Sequence, residues 1–164
     1  MSRAPPTNVV FAGLGGQGVI KASDIFADVA FRAGFDVKKA EIHGMSQRGG
    51  SVTSDVRYGA EVLSPMVSRG EADFLVVLAP SEIEVTRSML RPGGVLVPPD
   101  AVEESKLANR RSLNVALLGV LARHLDLPEE HWLAAIRAAL PERLHEVNEK
   151  AFRMGREIGK TVRA

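Results

Sequence analysis

A short apolar run, Val9 to Ala12, opens the patterned part of the chain; it breaks into four glycines between positions 13 and 18 and resumes with helical spacing. Val19, Ala22, Phe26, Val29 and Ala33 recur every three or four residues, which puts them on one helix face, and Gly34 stands where a left-handed C-terminal cap is wanted. Strand, tight turn and helix are therefore predicted. "FDVKKAEIH", residues 35–43, predicts a second strand of poorer alternation that leads into a polar, glycine-rich stretch, "HGMSQRGGSV". Beyond it "SVTSDVRYG" alternates well. Val52, Ser54, Val56 and Tyr58 share one face and Thr53, Asp55 and Arg57 the other, the pattern of a half-exposed strand.

"EADFLVVLAP" carries a continuous apolar run, Phe74 to Ala79, as expected of a strand covered on both faces. Pro80 and Ser81 suit the start of a helix through "EIEVTRSML", Gly93 and Gly94 predict a turn, and "VLVP" supplies another short strand. After Asp100 the pattern becomes helical: "SLNVALLGVLARHL", "PEEHWLAAIRAAL" and "HEVNEKAFRMGREIG" read as three helices separated at Leu127-Pro128 and Pro141-Glu142. Pro128 is placed as a first helical residue, and Trp132, Ile136 and Leu140 form a core stripe at helical spacing. Strands that alternate with helices and then give way to helices imply an α/β fold. Its sheet is mainly parallel, with flanking helices, a helical C-terminal part and a hairpin-like excursion around residues 43 to 63. No internal repeat is present.

Composition narrows the function classes. A length of 164 residues supports one core, so residues 1–164 read as a single domain. With 21 Lys and Arg against 20 Asp and Glu, the net charge of +1 gives no bulk field for nucleic acid or an anionic membrane, and any anion site must be local. There is no cysteine, so the chain has no thiolate with which to ligate an iron–sulfur cluster, and its four histidines lack zinc-site spacing. No metal site is expected. Residues 1–8 lack the apolar run of a signal peptide and no apolar stretch approaches about eighteen residues, which predicts a cytoplasmic protein.

Gly13, Gly15 and Gly18 satisfy G-x-G-x-x-G between a strand and a helix, the context that gives the pattern meaning. Two readings stand. Gly13, Gly15, Gly16, Gln17 and Gly18 form a phosphate-binding turn at a helix N-terminus, or the glycines serve only close strand–helix packing. A dinucleotide site also needs an acidic residue at the C-terminal end of the second strand. Asp36 has nearly the right spacing but starts that strand, whereas Glu41 is better located and a few residues late. Gln17 offers an alternative to pyrophosphate, because its side chain can hydrogen-bond a neighbouring loop or subunit. No Ser–His–Asp set, metal cluster or isolated carboxylate pair emerges, so no catalytic residue is assigned. His124, His131 and His145 read as surface or satisfied residues, and Lys150, Arg153 and Arg156 with Glu149 and Glu157 as a solvated helix face.

"GLGGQGV", "HGMSQRGGSV" and "NEKAFRMG" resemble the β subunit of indolepyruvate ferredoxin oxidoreductase, a relative of the γ subunit or domain of the 2-oxoacid:ferredoxin oxidoreductases. The resemblance spans residues 9 to about 159. It implies a Rossmann-like γ-type domain and a cluster-free subunit of a hetero-oligomer. Such a complex oxidatively decarboxylates an aryl-2-oxoacid such as indolepyruvate to the aryl-acyl-CoA and passes electrons to ferredoxin. It further implies that thiamine diphosphate and the 4Fe–4S clusters lie on a large partner subunit, and that coenzyme A is a co-substrate this domain helps receive. The chain alone is then inert. On this reading His43, Gly44, Met45, Ser46, Gln47, Arg48, Gly49, Gly50 and Ser51 form a subunit-interface, substrate or CoA loop, with Arg48 offering a planar fork to a carboxylate or phosphate. The blander reading pairs Arg48 within the chain and makes His43 a strand cap. Two other functions remain open: an independent NAD(P)- or flavin-nucleotide-binding oxidoreductase, and a non-catalytic module that binds an acyl-CoA or a nucleotide.

Overall fold

The computed structural model of the chain describes residues 4–43 and 50–164, His43 by its backbone alone. β1 (Thr7–Leu14) lies inside a six-stranded sheet ordered β2-β3-β1-β4-β5-β6. It pairs in parallel with β4 (Ala72–Val77), which pairs in parallel with β5 (Leu90–Val97). On its other side it pairs antiparallel with β3 (Ser51–Gly59), and β3 carries β2 (Asp36–His43) antiparallel at the edge. A two-residue strand, β6 (Val162–Arg163), runs antiparallel to β5 at the opposite edge. β1, β2, β4 and β5 thus point one way, and β3 and β6 the other.

Alternate residues of β1 enter different layers. Val9 and Phe11 face α1 (Val19–Arg32), α3 (Leu113–Ala122), α4 (Glu129–Ala139) and α5 (His145–Ile158). Val10 and Ala12 face a smaller cluster made with Val67 and with Ile83 of α2 (Ser81–Thr86). Phe26 centres the larger layer: its ring lies 5.7 Å from those of Phe11, Tyr58 and Trp132, and Trp132 stacks on Phe152 at 5.5 Å. Full burial of one such side chain contributes about 1.5–3 kcal/mol.

Every residue of α3 is buried, so this helix is apolar all round, as a helix enclosed between sheet and α5 must be. The two helices meet at backbone contact. A Cβ on Gly119 would lie 2.0 Å from the Phe152 carbonyl oxygen, and one on Gly155 would lie 1.9 Å from that of Ala116. The motif "NEKAFRMG" is accounted for in large part by this packing, since Ala151 and Phe152 are buried and Gly155 admits α3.

Several expectations change. The outer face of β3 is covered at its centre, where Asp55 is 2% exposed and accepts a hydrogen bond from the Val67 N–H at 2.9 Å because residues 62–67 fold across it, while Thr53 and Arg57 on that face stay half-buried. Burial pushes the Asp55 carboxyl above the usual range, opposed by that N–H. Period-two alternation assigns faces but says nothing of a later loop that covers one. Arg57, on the same face, donates to the Asn8 side chain and to the Ser64 carbonyl, each at 2.8 Å.

Gly93 and Gly94 lie inside β5 and do not form the turn that precedes it: Gly93 has φ 79° beside an irregular β4–β5 register, and a Cβ on Gly94 would sit 3.1 Å from the Ala72 carbonyl oxygen. Pro128 caps α4 with extended ψ (139°) and is not its first residue. The helix expected through Leu90 ends at Thr86 and continues as a 3-10 turn, Arg87–Met89. The β2–β3 hairpin occupies residues 36–59, earlier than expected, and the C-terminal part is not wholly helical, because β6 adds a strand held by Ala164 N–H to the Gly94 carbonyl at 2.8 Å.

Candidate anion-binding crevice

From β1 the chain turns through α1 toward the β2 edge; from β4 it passes through α2 toward β5. The C-terminal ends of β1 and β4 are neighbours whose connections part in opposite directions, and an α/β sheet opens its ligand crevice at such a point. The glycine turn supplies one wall. Gly16 (φ 86°) and Gly18 (φ 84°) are left-handed, and Gly18 caps α1. Gly13 answers to packing, since a Cβ there would lie 2.8 Å from the Val19 side chain, whereas one on Gly16 meets nothing within 4 Å.

Gln17 is spent within the fold. Its Oε1 accepts from the Leu14 N–H at 2.7 Å and its Nε2 donates toward the Leu78 carbonyl at 3.4 Å, which ties the ends of β1 and β4 together. The Gly15 N–H donates to the Gly50 carbonyl at 3.1 Å and the Gln17 N–H to that of Leu14 at 3.2 Å. Three donors of the turn, those of Leu14, Gly15 and Gln17, are therefore already engaged. An anion here needs donors from elsewhere.

They come from the segment before α3. Gly16, Gly18, Leu78, Arg110, Arg111 and Asn114 are among the residues that line a cavity of about 490 Å³. Asn114, 8% exposed, bridges two helix starts: its Nδ2 donates to the Gly18 carbonyl at 3.2 Å and its Oδ1 accepts from the Val115 N–H at 2.9 Å. The positive ends of α1 and α3 thus share one cavity. Arg110 and Arg111 are exposed beside them, with no ion-pair partner among the described residues. A cation at a helix N-terminus opposes the macrodipole, at a cost of about 0.3–1 kcal/mol, and an anion seated between them reverses the sign. A phosphate ester or diphosphate fits this charge pattern. A second cavity of about 390 Å³ shares Gln17, Leu78 and Glu104 with the first and is walled by Pro80, Ile83, Pro99 and Val102 together with the carboxylates Asp100 and Glu103, so an anionic group is placed on the Arg110 and Arg111 side, and the adjoining cavity suits a part of the ligand that carries no negative charge.

Other expected residues fall in different places. Ser51 donates through Oγ to Oε2 of Glu82 at 2.8 Å, and Glu82 is 5% exposed. His43 ends β2 opposite Val52. Gly44, Met45, Ser46, Gln47, Arg48 and Gly49 lie outside the described residues. Asp36 accepts from the Val62 N–H at 2.7 Å at the far end of the sheet. Glu41 sits on the edge strand with Lys39 as an ion partner, and β3 separates it from β1 by two strand spacings, about 9–10 Å. Neither carboxylate stands where a dinucleotide site needs one.

Among the histidines, Nε2 of His145 lies 2.9 Å and 2.8 Å from the carbonyls of Arg137 and Leu140. His124 departs from expectation: its Nε2 is buried without a hydrogen-bond partner among the described residues, and desolvation, then Arg123 and Arg163, depress its pKa. The charged face of α5 also ties helices together, since Arg153 and Arg156 reach Glu129 of α4 and Glu149 pairs with Arg137. Among the described residues no three His, Asp or Glu side chains group to hold a metal. Sequence reasoning missed Arg110, Arg111 and Asn114. The signal was there: "NRRSLN" sets two arginines at the start of an apolar helix, against the dipole rule.

Comparison with known proteins gives the fold a family. The family model of pyruvate ferredoxin/flavodoxin oxidoreductase matches residues 8–158. Indolepyruvate oxidoreductase subunit IorB of Thermococcus kodakarensis is 33% identical, over 94% of this chain and 96% of its own length. The same subunit of Pyrococcus horikoshii is 32% identical with the same coverage. Among solved structures, the γ subunit of a keto/oxoacid ferredoxin oxidoreductase from Geobacter sulfurreducens matches at TM-score 0.76 and 24% identity, over 91% of this chain and 95% of that one. A 2-oxoglutarate:ferredoxin oxidoreductase from Magnetococcus marinus, solved with 2-oxoglutarate, coenzyme A and succinyl-CoA bound, matches at TM-score 0.83 and 20% identity. It covers 94% of this chain but only 31% of that longer one. With residues 8–158 matched by the family model and 94% of the chain matched by relatives 33% and 32% identical to it, the chain belongs to the pyruvate ferredoxin/flavodoxin oxidoreductase family.

Proposed function

We propose that the chain is the small, cluster-free subunit of an arylpyruvate:ferredoxin oxidoreductase of the indolepyruvate type, and that its crevice receives the phosphates of coenzyme A. The subunit reading is supported by relatives, matched over 94% of this chain and 96% of their own length, that are indolepyruvate oxidoreductase subunits. Two arginines without an ion-pair partner among the described residues, beside two helix starts, carry the CoA reading. In the overall reaction a 2-oxoacid and the CoA thiol give the acyl-CoA thioester, carbon dioxide and a proton, with a pair of electrons delivered to ferredoxin. Thiamine diphosphate supplies carbanion-stabilising chemistry and iron–sulfur clusters supply electron transfer when bound by the large partner subunit. This chain has no cysteine for a cluster.

Its own contribution is binding and orientation. Arg110 and Arg111 make charge-assisted hydrogen bonds to phosphoryl oxygens, the α1 and α3 ends add their dipoles, and Gly16 lets the ligand approach the backbone. Anchoring the ligand by its anionic end confines the thiol near the partner's reaction centre, which converts an encounter in solution into a positioned one. The Gly50 carbonyl holds the Gly15 N–H of the glycine turn, and on this reading the segment 43–51 that Gly50 belongs to meets the partner.

The test uses the complex co-expressed with its large subunit. Arg110→Ala combined with Arg111→Ala raises KM for CoA about 10- to 100-fold, the loss of one or two charge-assisted bonds, and leaves KM for the 2-oxoacid near wild type. An unchanged KM for CoA, or a rise confined to the oxoacid, contradicts the assignment.

A further inference from the structure

Beside the crevice lies a second, more enclosed niche of about 220 Å³. It shares Arg111 and Asn114 with the crevice and is closed by Arg143 and Leu144 of the 3-10 turn Glu142–Leu144 and by Asn148 of α5. Two asparagines are fixed by backbone contacts. Asn109 accepts the Arg111 N–H at 2.9 Å through Oδ1, which leaves its amide nitrogen as a donor for the niche. Asn148, 7% exposed, donates from Nδ2 to the Leu144 carbonyl at 2.9 Å, which leaves its oxygen as an acceptor. Arg143, like Arg111, has no ion-pair partner among the described residues, and no carboxylate lines the niche. Two guanidinium groups, an amide donor and one acceptor suit a phosphate monoester that carries a neighbouring hydroxyl or amine.

Because Arg111 lines both cavities, the two anion sites adjoin, and one ligand bearing two separated phosphoryl groups spans them. Coenzyme A has that chemistry: a diphosphate, and one sugar ring away a 3′-phosphate monoester. We propose that the niche of Arg111, Arg143, Asn109 and Asn148 binds the ribose 3′-phosphate and makes the subunit selective for CoA over its 3′-dephospho form; this rests on the reading of the crevice as a CoA site. The packing of α5 accounts for most of "NEKAFRMG", and the niche gives its first residue, Asn148, a use.

The experiment measures kcat/KM of the co-expressed complex with CoA and with 3′-dephospho-CoA. Wild type favours CoA by about 10- to 100-fold, the value of a charge-assisted pair. Arg143→Ala, in an exposed 3-10 turn, lowers the value for CoA about 10-fold toward that for dephospho-CoA, with Arg111 and Asn109 holding what remains, while the value for dephospho-CoA stays; Arg143→Lys keeps more of the preference. A wild type blind to the 3′-phosphate, or an Arg143→Ala complex that discriminates as strongly as wild type, overturns the niche. Arg110→Ala separates the two readings: it weakens both ligands alike if the crevice holds the diphosphate, and if it weakens neither, the crevice assignment fails by itself.

Discussion

Gly16 and Gly18 have almost the same backbone torsion and different surroundings, so one substitution made at both isolates the contact that joins α1 to α3. An L-residue at φ near +85° costs about 1–2 kcal/mol. At Gly16 nothing lies within 4 Å of an added Cβ, so Gly16→Ala loses that amount and no more. At Gly18 the Cβ would lie 2.5 Å from Nδ2 of buried Asn114, whose amide must give up its bond to the Gly18 carbonyl. A lost hydrogen bond adds about 0.5–1.5 kcal/mol, and the displacement of a packed side chain takes Gly18→Ala to about 2–4 kcal/mol in all. Urea denaturation followed by the fluorescence of Trp132, the single tryptophan, measures both losses. Asn114→Ala in the Gly18→Ala background removes the clash and keeps the torsional strain, so the double variant is less destabilised than the sum of the singles by about 1 kcal/mol. Equal losses at the two glycines, or strict additivity with Asn114→Ala, would refute the bridge.

Three further outcomes are expected. Gly155→Ala drives a Cβ into the Ala116 carbonyl and forces two helices apart, so it costs about 3 kcal/mol and lowers Tm by about 6–12 °C in a thermal melt, whereas a melt within a degree of wild type would show that α3 and α5 are not in backbone contact. Asp55 has a folded-state pKa raised above 3.8 by burial, so the native protein binds its proton before the unfolded chain does and wild type gains stability as pH falls through the raised value. Asp55→Asn is therefore the more stable at neutral pH, and that advantage shrinks toward about pH 4; an advantage independent of pH counts against the buried carboxylate. His124 has its pKa lowered below 6.5, so its contribution is full above that pH and is lost as pH falls from there through the depressed value. His124→Phe, set against Phe74, flattens that limb of the stability profile, and an identical slope in the variant excludes His124 as its source.

Much of the scaffold was legible because each signal had a local cause. The glycine turn, the α1 face and the Gly34 cap (φ 92°) follow from torsional need and helical period. Trp132 and Ile136 were legible as core for the same reason. What failed was nonlocal. No property of β2 or β3 in isolation says that β3 inserts between β1 and β2, yet that insertion moves Glu41 away from the glycine turn and removes the acidic partner a dinucleotide site requires. Asp55 looked solvent-facing because its cover, Val67, comes from a loop the alternation does not describe. The glycine turn drew attention to itself, while the cations that make the crevice an anion site lie some ninety residues later, in a segment whose one hint was an arginine pair on the wrong side of a helix dipole.

The division of labour between this chain and a large partner is tested most directly by turnover of indolepyruvate with CoA and a viologen acceptor, measured on the purified chain alone and on the co-expressed complex. The chain alone is inert and the complex reduces the dye in step with acyl-CoA formed. Reduction of the dye by the solitary polypeptide, or failure of the two subunits to copurify as an active assembly, would contradict the account.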